Sequence, residues 1–195
     1  MFEIFAYVER MKYIRRWSLM RSLREETDME HSFQVAYVSH TLAILENECY
    51  GNHLDIGIVL AMAMYHDLSE TMTGDMPTPV KYFHPEMRAL YGHLEDTAKE
   101  RLLLSLPTAF RDAYRPFIRP DEKSEEYRLV KAADRISAYL KCLEETKCGN
   151  DEFRKALESQ KAELDVSPWQ SVQYFMENIV PVYARSLDEL ELPMV

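Results

Sequence analysis

Four residues in three separate parts of the chain carry side chains that bind divalent metals. His66 and Asp67 are adjacent and follow the apolar run 58–65, while His31 lies upstream and Asp134 downstream. Imidazole and carboxylate groups together form a mixed nitrogen and oxygen set, which suits Mn²⁺, Co²⁺, Fe²⁺, Ni²⁺ or Zn²⁺ without choosing among them. The sequence therefore predicts one metal site with the ligands His31, His66, Asp67 and Asp134.

Such a site would be suited to hydrolysis. Four protein ligands leave a coordination position open for water if the ion is five- or six-coordinate. Glu70 lies four residues after His66 and three after Asp67, so a continuous helix would place these side chains on one face. A carboxylate close to metal-bound water can move a proton. We therefore predict that Glu70 is catalytic, the alternative being an exposed helix charge.

The predicted ligands also have ordinary structural interpretations. His31 could cap a helix, and Asp134 could pair with Lys131 or Arg135. An aspartate buried among apolar neighbours is costly without a cation, however. Because the candidate ligands fall on separate predicted helices, the set favours a metal site more strongly than any one residue does.

The elements that must position these residues are predicted to be helices. Only five glycines occur in 195 residues, and no stretch alternates convincingly as a strand would. We expect an all-α fold of about seven helices in one domain spanning 1–195. The predicted helices cover 2–14, 28–48, a third segment from Asp55 to near Gly74, 86–105, a fifth from Ser124 to near Gly149, 151–163 and a last one from Ser167 until Pro181 interrupts it.

Several helix ends are predicted from capping residues. Thr27 and Glu30 form a capping-box pattern at the start of the second helix. Asp55 and Ser124 are suitable N-caps for the third and fifth helices. Gly74 is a natural residue for a helix C-terminus.

Composition narrows the classes of partner. A net charge of −10 makes a long nucleic acid an improbable partner, although a bound cation and a few arginines can reverse the potential inside a pocket. The three cysteines form no C-x-x-C pair, which argues against a disulfide framework. The longest apolar stretch, 56–65, is about half of the ~20 residues that span a bilayer. We expect a soluble cytoplasmic protein without a membrane partner.

The chain resembles a known family. His31, His66-Asp67 and Asp134 match the H…HD…D pattern of the HD-domain phosphohydrolase superfamily, and further motifs are similar to those of the YfbR-type 5′-deoxynucleotidases. These motifs are Arg16-Trp17, Glu30-His31-Ser32, 65–70, 73–82 and 138–145. The combination of Arg-Trp with Gly-Asp-x-Pro-Thr-Pro is much more specific than the ligand pattern alone.

The resemblance implies a fold, a reaction and a set of residues. Members are all-α homodimers that remove the 5′-phosphate from deoxyribonucleoside monophosphates with one divalent ion, such as Co²⁺ or Mn²⁺. By resemblance, Arg16 contacts phosphate and joins Glu70 as a catalytic residue, and Asp75 lies near the 3′-hydroxyl. The implied substrate-binding set is Arg16, Trp17, His31, Asp67, Asp75, Met76, Pro77, Thr78 and Asp134.

Elementary chemistry agrees with these roles. The planar guanidinium of Arg16 can form two parallel hydrogen bonds to phosphoryl oxygens. A rigid indole at Trp17 would clash with a ribose 2′-hydroxyl and so disfavour ribonucleotides. The alternatives are a hydrophobic contact beside the first helix for Trp17 and a turn residue for Asp75. Lys81 could add charge near the phosphate or lie solvated in the loop.

Two other functions remain open from the sequence. One is an HD phosphohydrolase that acts on another small nucleotide. The other is a non-catalytic HD module that binds a nucleotide. The presence of all four predicted ligands and of Glu70 argues against the second alternative.

Overall fold

The computed structural model describes residues 2–81 and 83–190, and within them every regular element is a helix. An isolated bridge between Arg15 and Thr27 is the β feature recorded there. The prediction of an all-α fold is confirmed. Tyr82, which belongs to the motif 73–82, and residues 191–195 of the predicted domain lie outside the described residues.

The described chain contains ten α-helical segments. They are α1 Ile4–Arg10, α2 Asp28–Cys49, α3 Ile56–Tyr65, α4 Glu70–Thr73, α5 Thr78–Lys81, α6 Pro85–Leu104, α7 Thr108–Ile118, α8 Glu125–Lys147, α9 Arg154–Asp165 and α10 Gln170–Tyr174. Short 3₁₀ turns cover Met11–Tyr13, Asp151–Phe153, Val180–Ala184 and Leu187–Glu189, and a π-helical turn covers Phe175–Ile179. Three of the α-helices have five residues or fewer, so the prediction of about seven holds for the longer ones.

The predicted caps are present. At the start of α2, the side chain of Thr27 accepts from the backbone of Glu30, whose side chain accepts from the backbone of Thr27. Asp55 accepts from the backbone N–H of Ile58 at 3.0 Å to begin α3. Ser124 begins α8 in the same way. These local bonds fix where the ligand-bearing helices start, because each satisfies a backbone donor that has no partner within the helix.

The third predicted helix is interrupted. It was expected to continue from Asp55 to near Gly74, but α3 ends at Tyr65 and a tight turn separates it from α4. In this turn the N–H of Leu68 donates to the carbonyl of Tyr65 at 3.1 Å, and the side chain of Leu68 is fully buried. Burial of Leu68 stabilises a bend that helix propensity alone does not predict. Gly74 does end α4, with a φ of 74°.

One helix was not predicted. The segment between 105 and Ser124, which contains prolines at 107, 116 and 120, falls outside the predicted helices, yet α7 forms there. Pro107 is the N-cap residue and Pro120 follows the C-terminus, which are positions where a missing N–H costs little. Only Pro116 lies inside the helix.

Two apolar clusters surround the region of the predicted site. The larger one joins α2, α3 and α8 with α9 and α10. The smaller one contains Ile4 and Met11 from the N-terminal segment, Leu68, and residues of α6 and α7. His66 and Asp67 lie between the end of α3 and Leu68, so both clusters hold this turn in place. Among the described helices, none combines the length and apolarity that a membrane crossing requires.

Candidate metal centre and active site

Three predicted ligands from different elements meet in the structure. One ligand atom each from His31, His66 and Asp134 lies within 4.8 Å of the others. His31 projects from α2, Asp134 from α8, and His66 directly follows α3. Packing of α2 against both α3 and α8 therefore brings together residues that are more than 30 positions apart in sequence.

A hydrogen-bond chain orients His31. Its ring is fully buried, and Nδ1 lies 3.1 Å from Oγ of Ser137, which in turn donates to Oε1 of Gln34. Because the Ser137 hydroxyl donates to Gln34, it is free to accept from Nδ1–H. Nε2 then carries the lone pair and faces Oδ1 of Asp134 at 3.0 Å. A ring lone pair and a carboxylate oxygen at this distance need a proton or a metal ion between them, so the arrangement is compatible with a metal ligand.

The second imidazole is fixed in a similar way. Nδ1 of His66 lies 2.8 Å from the backbone carbonyl of Ala63, which identifies Nδ1 as the donor. Nε2 is buried without a hydrogen-bond partner and lies 3.0 Å from Oδ2 of Asp67. Burial alone would lower the pKa of His66, but the charge of Asp67 outweighs it and raises the pKa. An orphaned ring nitrogen beside a carboxylate also fits a bound cation.

Asp67 connects the imidazoles to Arg16. Its Oδ2 lies 3.0 Å from Nη1 of Arg16 and 3.6 Å from Nε2 of His31. Burial would raise the pKa of Asp67, yet the adjacent charges of His66 and Arg16 hold it below its usual range. The carboxylate is therefore ionised and ready to bind a metal. The guanidinium of Arg16 lies at the edge of the same site.

Asp134 is neutralised by a neighbour on its own helix. Lys131, one turn earlier on α8, donates to Oδ2 of Asp134. Burial would raise the pKa of Asp134, but the charge of Lys131 and the contact with His31 keep it well below its usual range. Arg135, expected beside the site, instead pairs with Glu163 of α9 at 2.7 Å. Of the two partners considered for Asp134, the structure selects Lys131.

A group of three acids lies next to the triad formed by His31, His66 and Asp134. Asp28, Asp67 and Glu70 place one oxygen each within 4.8 Å of one another. Burial raises the pKa of Glu70 to about 11, and the charges of Asp67 and Asp28 add to the rise. A turn replaces the expected continuous helix, so Glu70 begins α4. Its side chain therefore lies near Asp67 and Asp28 rather than near His31, His66 and Asp134. Its Oε2 is buried without a hydrogen-bond partner.

Asp28 was not predicted as a site residue. It is the first residue of α2 and is fully buried. Burial and the charge of Asp67 raise the pKa of Asp28 to about 7, while the charge of Arg16 and a hydrogen bond with Glu70 oppose the rise. An acid in a first helical turn gains about 0.3–1 kcal/mol from the helix dipole. Desolvating a charged group costs on the order of several kcal/mol. The helix terminus alone therefore does not explain this burial. The sequence signal was the offset of three residues from His31, which places Asp28 on the same helix face.

Arg16 and Trp17 lie on an irregular segment before α2. The backbone of Trp17 has a φ of 59°, which is unfavourable for a residue with a bulky side chain. Glu26 accepts from the indole Nε1 at 3.0 Å and lies 3.3 Å from Nε of Arg16. The indole ring packs against Phe153 at 5.3 Å between centroids. These contacts of Trp17 differ from the structural alternative predicted for it, a hydrophobic contact beside the first helix.

A buried ion pair anchors the same segment. Lys141 and Glu145 of α8 are almost fully buried, with Nζ and Oε1 2.6 Å apart. Glu145 accepts from the backbone N–H groups of Leu23 and Arg24, and Lys141 donates to the carbonyl of Arg24. Since this segment carries Arg16 and Trp17, α8 fixes their backbone as well as Asp134.

The loop after Gly74 reaches the site mainly through Asp75. Burial raises the pKa of Asp75, while the charge of Arg16 and a hydrogen bond from the backbone of Trp17 lower it. Tyr91 of α6 holds the loop by donating to the carbonyl of Gly74 at 2.9 Å. Lys81 pairs with Glu95 of α6 at 2.9 Å. Its ammonium therefore faces α6.

Within the described part of the chain, the remaining loop residues have no recorded polar contact with the predicted ligands. Met76 and Pro77 are partly buried, and Thr78 is exposed at the start of α5. Among the hydrogen bonds and ion pairs of residues 2–81 and 83–190, none joins these three side chains to the triad. Their predicted contact with substrate stays a prediction.

Comparisons with known proteins agree with the geometry. A sequence model of the family described as 5′-deoxynucleotidase YfbR-like matches residues 3–183. A 5′-deoxynucleotidase of Vibrio vulnificus (strain YJ016) is 46% identical over 187 residues, which are 95% of this chain and 96% of that protein. The 5′-deoxynucleotidase YfbR of Escherichia coli (strain ATCC 8739) is 44% identical over 187 residues, 95% of this chain and 94% of its own length.

A solved structure shares the fold. An HD-domain phosphohydrolase from Listeria innocua superposes with a TM-score of 0.80 over 93% of this chain and 88% of that chain. The two sequences are 24% identical, so this likeness concerns the fold.

Proposed function

The chain belongs to the YfbR-like 5′-deoxynucleotidase family, and from that premise we propose how its residues hydrolyse deoxyribonucleoside 5′-monophosphates to deoxyribonucleoside and phosphate. The observation that carries the proposal is the meeting of His31, His66 and Asp134 with both ring tautomers fixed by hydrogen bonds. Such a preorganised set serves metal-dependent hydrolysis of a phosphate monoester.

We propose that His31, His66, Asp67 and Asp134 hold one divalent ion, with Mn²⁺ and Co²⁺ as the favoured candidates. When bound, such an ion polarises phosphoryl oxygens and lowers the pKa of its water. The protein residues supply the rest of the site. Ser137 and Ala63 fix the imidazole tautomers, and the Lys131 ammonium balances the charge of Asp134.

Arg16 and Glu70 are the proposed catalytic residues. The Arg16 guanidinium lies beside Asp67 at the edge of the metal site, where its planar fork can bind phosphoryl oxygens. Glu70 Oε2 is free of hydrogen bonds. We propose that this oxygen transfers a proton during hydrolysis, from the attacking water or to the leaving 5′-oxygen.

The sugar would be recognised by residues on two segments. We propose that the Trp17 indole packs against C2′ and excludes a 2′-hydroxyl, and that Asp75 accepts from the 3′-hydroxyl. The hydrogen bond between the Trp17 backbone and the Asp75 carboxylate supports a shared binding surface for these residues. Met76, Pro77 and Thr78 would complete the substrate loop, while His31, Asp67 and Asp134 would border the phosphate.

Phosphate release from matched nucleotides tests this function. The protein is stripped with EDTA, reloaded with Mn²⁺ or Co²⁺, and assayed with dAMP, AMP and deoxyadenosine 3′-monophosphate. We expect rapid release of phosphate from dAMP but not from AMP or deoxyadenosine 3′-monophosphate. Without metal, no phosphate should be released from any of the three. Equal rates for dAMP and AMP would contradict the role of Trp17. Activity that survives complete chelation would contradict the metal centre.

We also propose a homodimer in the cytoplasm. The dimer rests on the family likeness, and exposed apolar side chains on α2 such as Phe33, which is 72% exposed, are available for a contact. The reducing compartment is supported by three free cysteines, two of them exposed. Light scattering on the purified protein measures the mass directly, and a monomer at micromolar concentration would exclude the dimer.

A further inference from the structure

Glu26 contacts both Arg16 and Trp17 through one carboxylate oxygen. Its Oε2 accepts from the indole Nε1 of Trp17 at 3.0 Å and lies 3.3 Å from Nε of Arg16. Its backbone carbonyl also accepts from the N–H of Arg16 at 2.9 Å. The side chains of Glu26 and Arg16 are 13% and 15% exposed, so water screens their ion pair only weakly. One residue therefore holds the backbone of Arg16, its guanidinium and the neighbouring indole.

The conformation of Trp17 depends on such contacts. Its φ of 59° is sterically unfavourable for a residue with a large side chain. A backbone in this region persists only where surrounding contacts hold it. The indole is held at two points, by its hydrogen bond to Glu26 and by its packing against Phe153. Of these two contacts, only the hydrogen bond to Glu26 links the indole to Arg16.

The guanidinium of Arg16 lies between two carboxylates. Asp67 contacts Nη1 at 3.0 Å, while Glu26 faces Nε at 3.3 Å. Contacts at two different nitrogens fix the plane of the guanidinium as well as its position. A planar group that binds phosphoryl oxygens through parallel hydrogen bonds depends on this orientation. Asp67 relates Arg16 to the predicted metal ligands, and Glu26 relates it to the indole.

We propose that Glu26 is a positioning residue that couples binding of the phosphate to selection of the sugar. Its carboxylate sets the orientation of the Arg16 guanidinium relative to the Trp17 indole. A nucleotide whose phosphate is bound by Arg16 then has its C2′ directed against the indole. Glu26 acts through these two residues and does not contact the substrate. The inference rests on the proposed function, which assigns Arg16 to the phosphate and Trp17 to the sugar.

Two substitutions separate the two contacts of Glu26. In Glu26→Gln, the side-chain oxygen can still accept from the Trp17 indole, but the charge that attracts Arg16 is lost. Glu26→Ala removes both contacts. The first substitution should therefore weaken binding of every nucleotide by the same factor. The second should also reduce the preference for deoxyribose, because the indole is no longer held beside the guanidinium.

Steady-state kinetics of the Mn²⁺-loaded protein test this coupling. Values of kcat and KM for dAMP and AMP are measured for the wild type, for both Glu26 variants and for the control Glu25→Gln. Glu25 is the neighbouring acid and pairs with Arg15 at 2.8 Å, with both side chains largely exposed. Its substitution removes a carboxylate from the same segment and leaves the contacts of Arg16 and Trp17 intact. Bound metal per chain and the melting temperature are measured for each variant, so loss of metal or of fold is recognised separately.

We expect Glu26→Gln to lower kcat/KM for both nucleotides by about tenfold, the loss of one contact to a charged group, and to keep the wild-type preference. In Glu26→Ala the ratio of kcat/KM for dAMP to that for AMP should fall by about fivefold or more, as expected for loss of one hydrogen bond. Both variants should keep their metal, and Glu25→Gln should match the wild type.

Three results would overturn the positioning role. They are a wild-type sugar preference in Glu26→Ala, an equal loss of preference in Glu26→Gln and Glu26→Ala, and an unchanged kcat/KM in Glu26→Gln. The third result decides the question even if Glu26→Ala melts below the assay temperature. A wild-type protein that hydrolyses neither nucleotide, or both at equal rates, would instead refute the proposed function and the positioning role with it.

Discussion

Ser137 should control the metal affinity of His31 without touching the ion. Its hydroxyl is fully buried and accepts from Nδ1 of His31 at 3.1 Å. In Ser137→Ala the ring loses this acceptor, and its proton can move to Nε2. There it would meet Oδ1 of Asp134, 3.0 Å away, in a favourable hydrogen bond. The variant therefore stabilises the tautomer that cannot bind a metal.

The size of this effect follows from the bonds involved. A neutral hydrogen bond contributes about 1 kcal/mol, and a buried donor without a partner costs about 1–3 kcal/mol. Loss of a residue that orients a metal-binding histidine weakens metal affinity by about 10–100-fold, or roughly 1.4–2.7 kcal/mol. We therefore expect the Kd for Mn²⁺ to rise by about 10–100-fold in Ser137→Ala. Activity at saturating Mn²⁺ should return close to the wild-type value.

Calorimetric titration with Mn²⁺ measures this change. Ser39→Ala is the matched control, because Ser39 is also a fully buried serine and its hydroxyl has no hydrogen-bond partner. The control should bind Mn²⁺ with the wild-type Kd. An unchanged Kd in Ser137→Ala, or an equal loss in both variants, would refute the tautomer argument.

Three further predictions concern the sugar, the proton and the anchored segment. Trp17→Ala should hydrolyse AMP and dAMP at more similar rates, and kcat/KM for the two nucleotides measures this; a preserved preference would remove Trp17 from sugar selection. Glu70→Ala should keep its metal content but lose turnover by about 10²-fold or more, as expected for a group that transfers protons. Hydrogen bonds from Lys141 and backbone N–H groups outweigh the effect of burial and lower the pKa of Glu145 from 4.5 to about 2. Glu145→Gln should therefore lose about 3 kcal/mol of unfolding free energy at neutral pH. The difference from wild type should shrink as pH falls from 4.5 toward 2, and urea unfolding at several pH values checks both the size and the sign.

The sequence predicted that His31, His66 and Asp134 come together because candidate metal ligands can be recognised from residue type and local context. His31, His66 and Asp134 each follow from residue type and apolar context, and packing of three helices explains how they meet. The helix starts at 28, 56 and 125 followed from capping residues, whose bonds are local. Such features depend on a few neighbouring residues, so they can be predicted without knowledge of the tertiary fold.

Features that depend on distant contacts were missed. The bond between Ser137 and Gln34 joins two helices 103 positions apart, and serine at 137 carries no signal of its own. The hydrogen bonds from the backbone N–H groups of Leu23 and Arg24 to the Glu145 carboxylate join residues more than 120 positions apart. In both cases the residue type is common and only its partner, set by packing, gives it a role. Helix α7 was missed for a different reason. Prolines are unfavourable inside helices, but two of the three prolines in this segment lie just outside the ends of α7.

The interrupted third helix matters most for the chemistry. A continuous helix from 55 to 74 would have placed Glu70 one turn beyond His66, on the same helix face as that predicted ligand. Burial of Leu68 instead bends the chain between them, so Asp67 lies within reach of both imidazoles and Glu70 faces Asp67 and Asp28. The bend thereby separates a nitrogen-containing group from a group made only of carboxylates, with Asp67 between the two. One buried leucine thus determines which acids lie beside the predicted metal ligands, and this depends on the apolar cluster around α1, α6 and α7 rather than on the His-Asp pair itself.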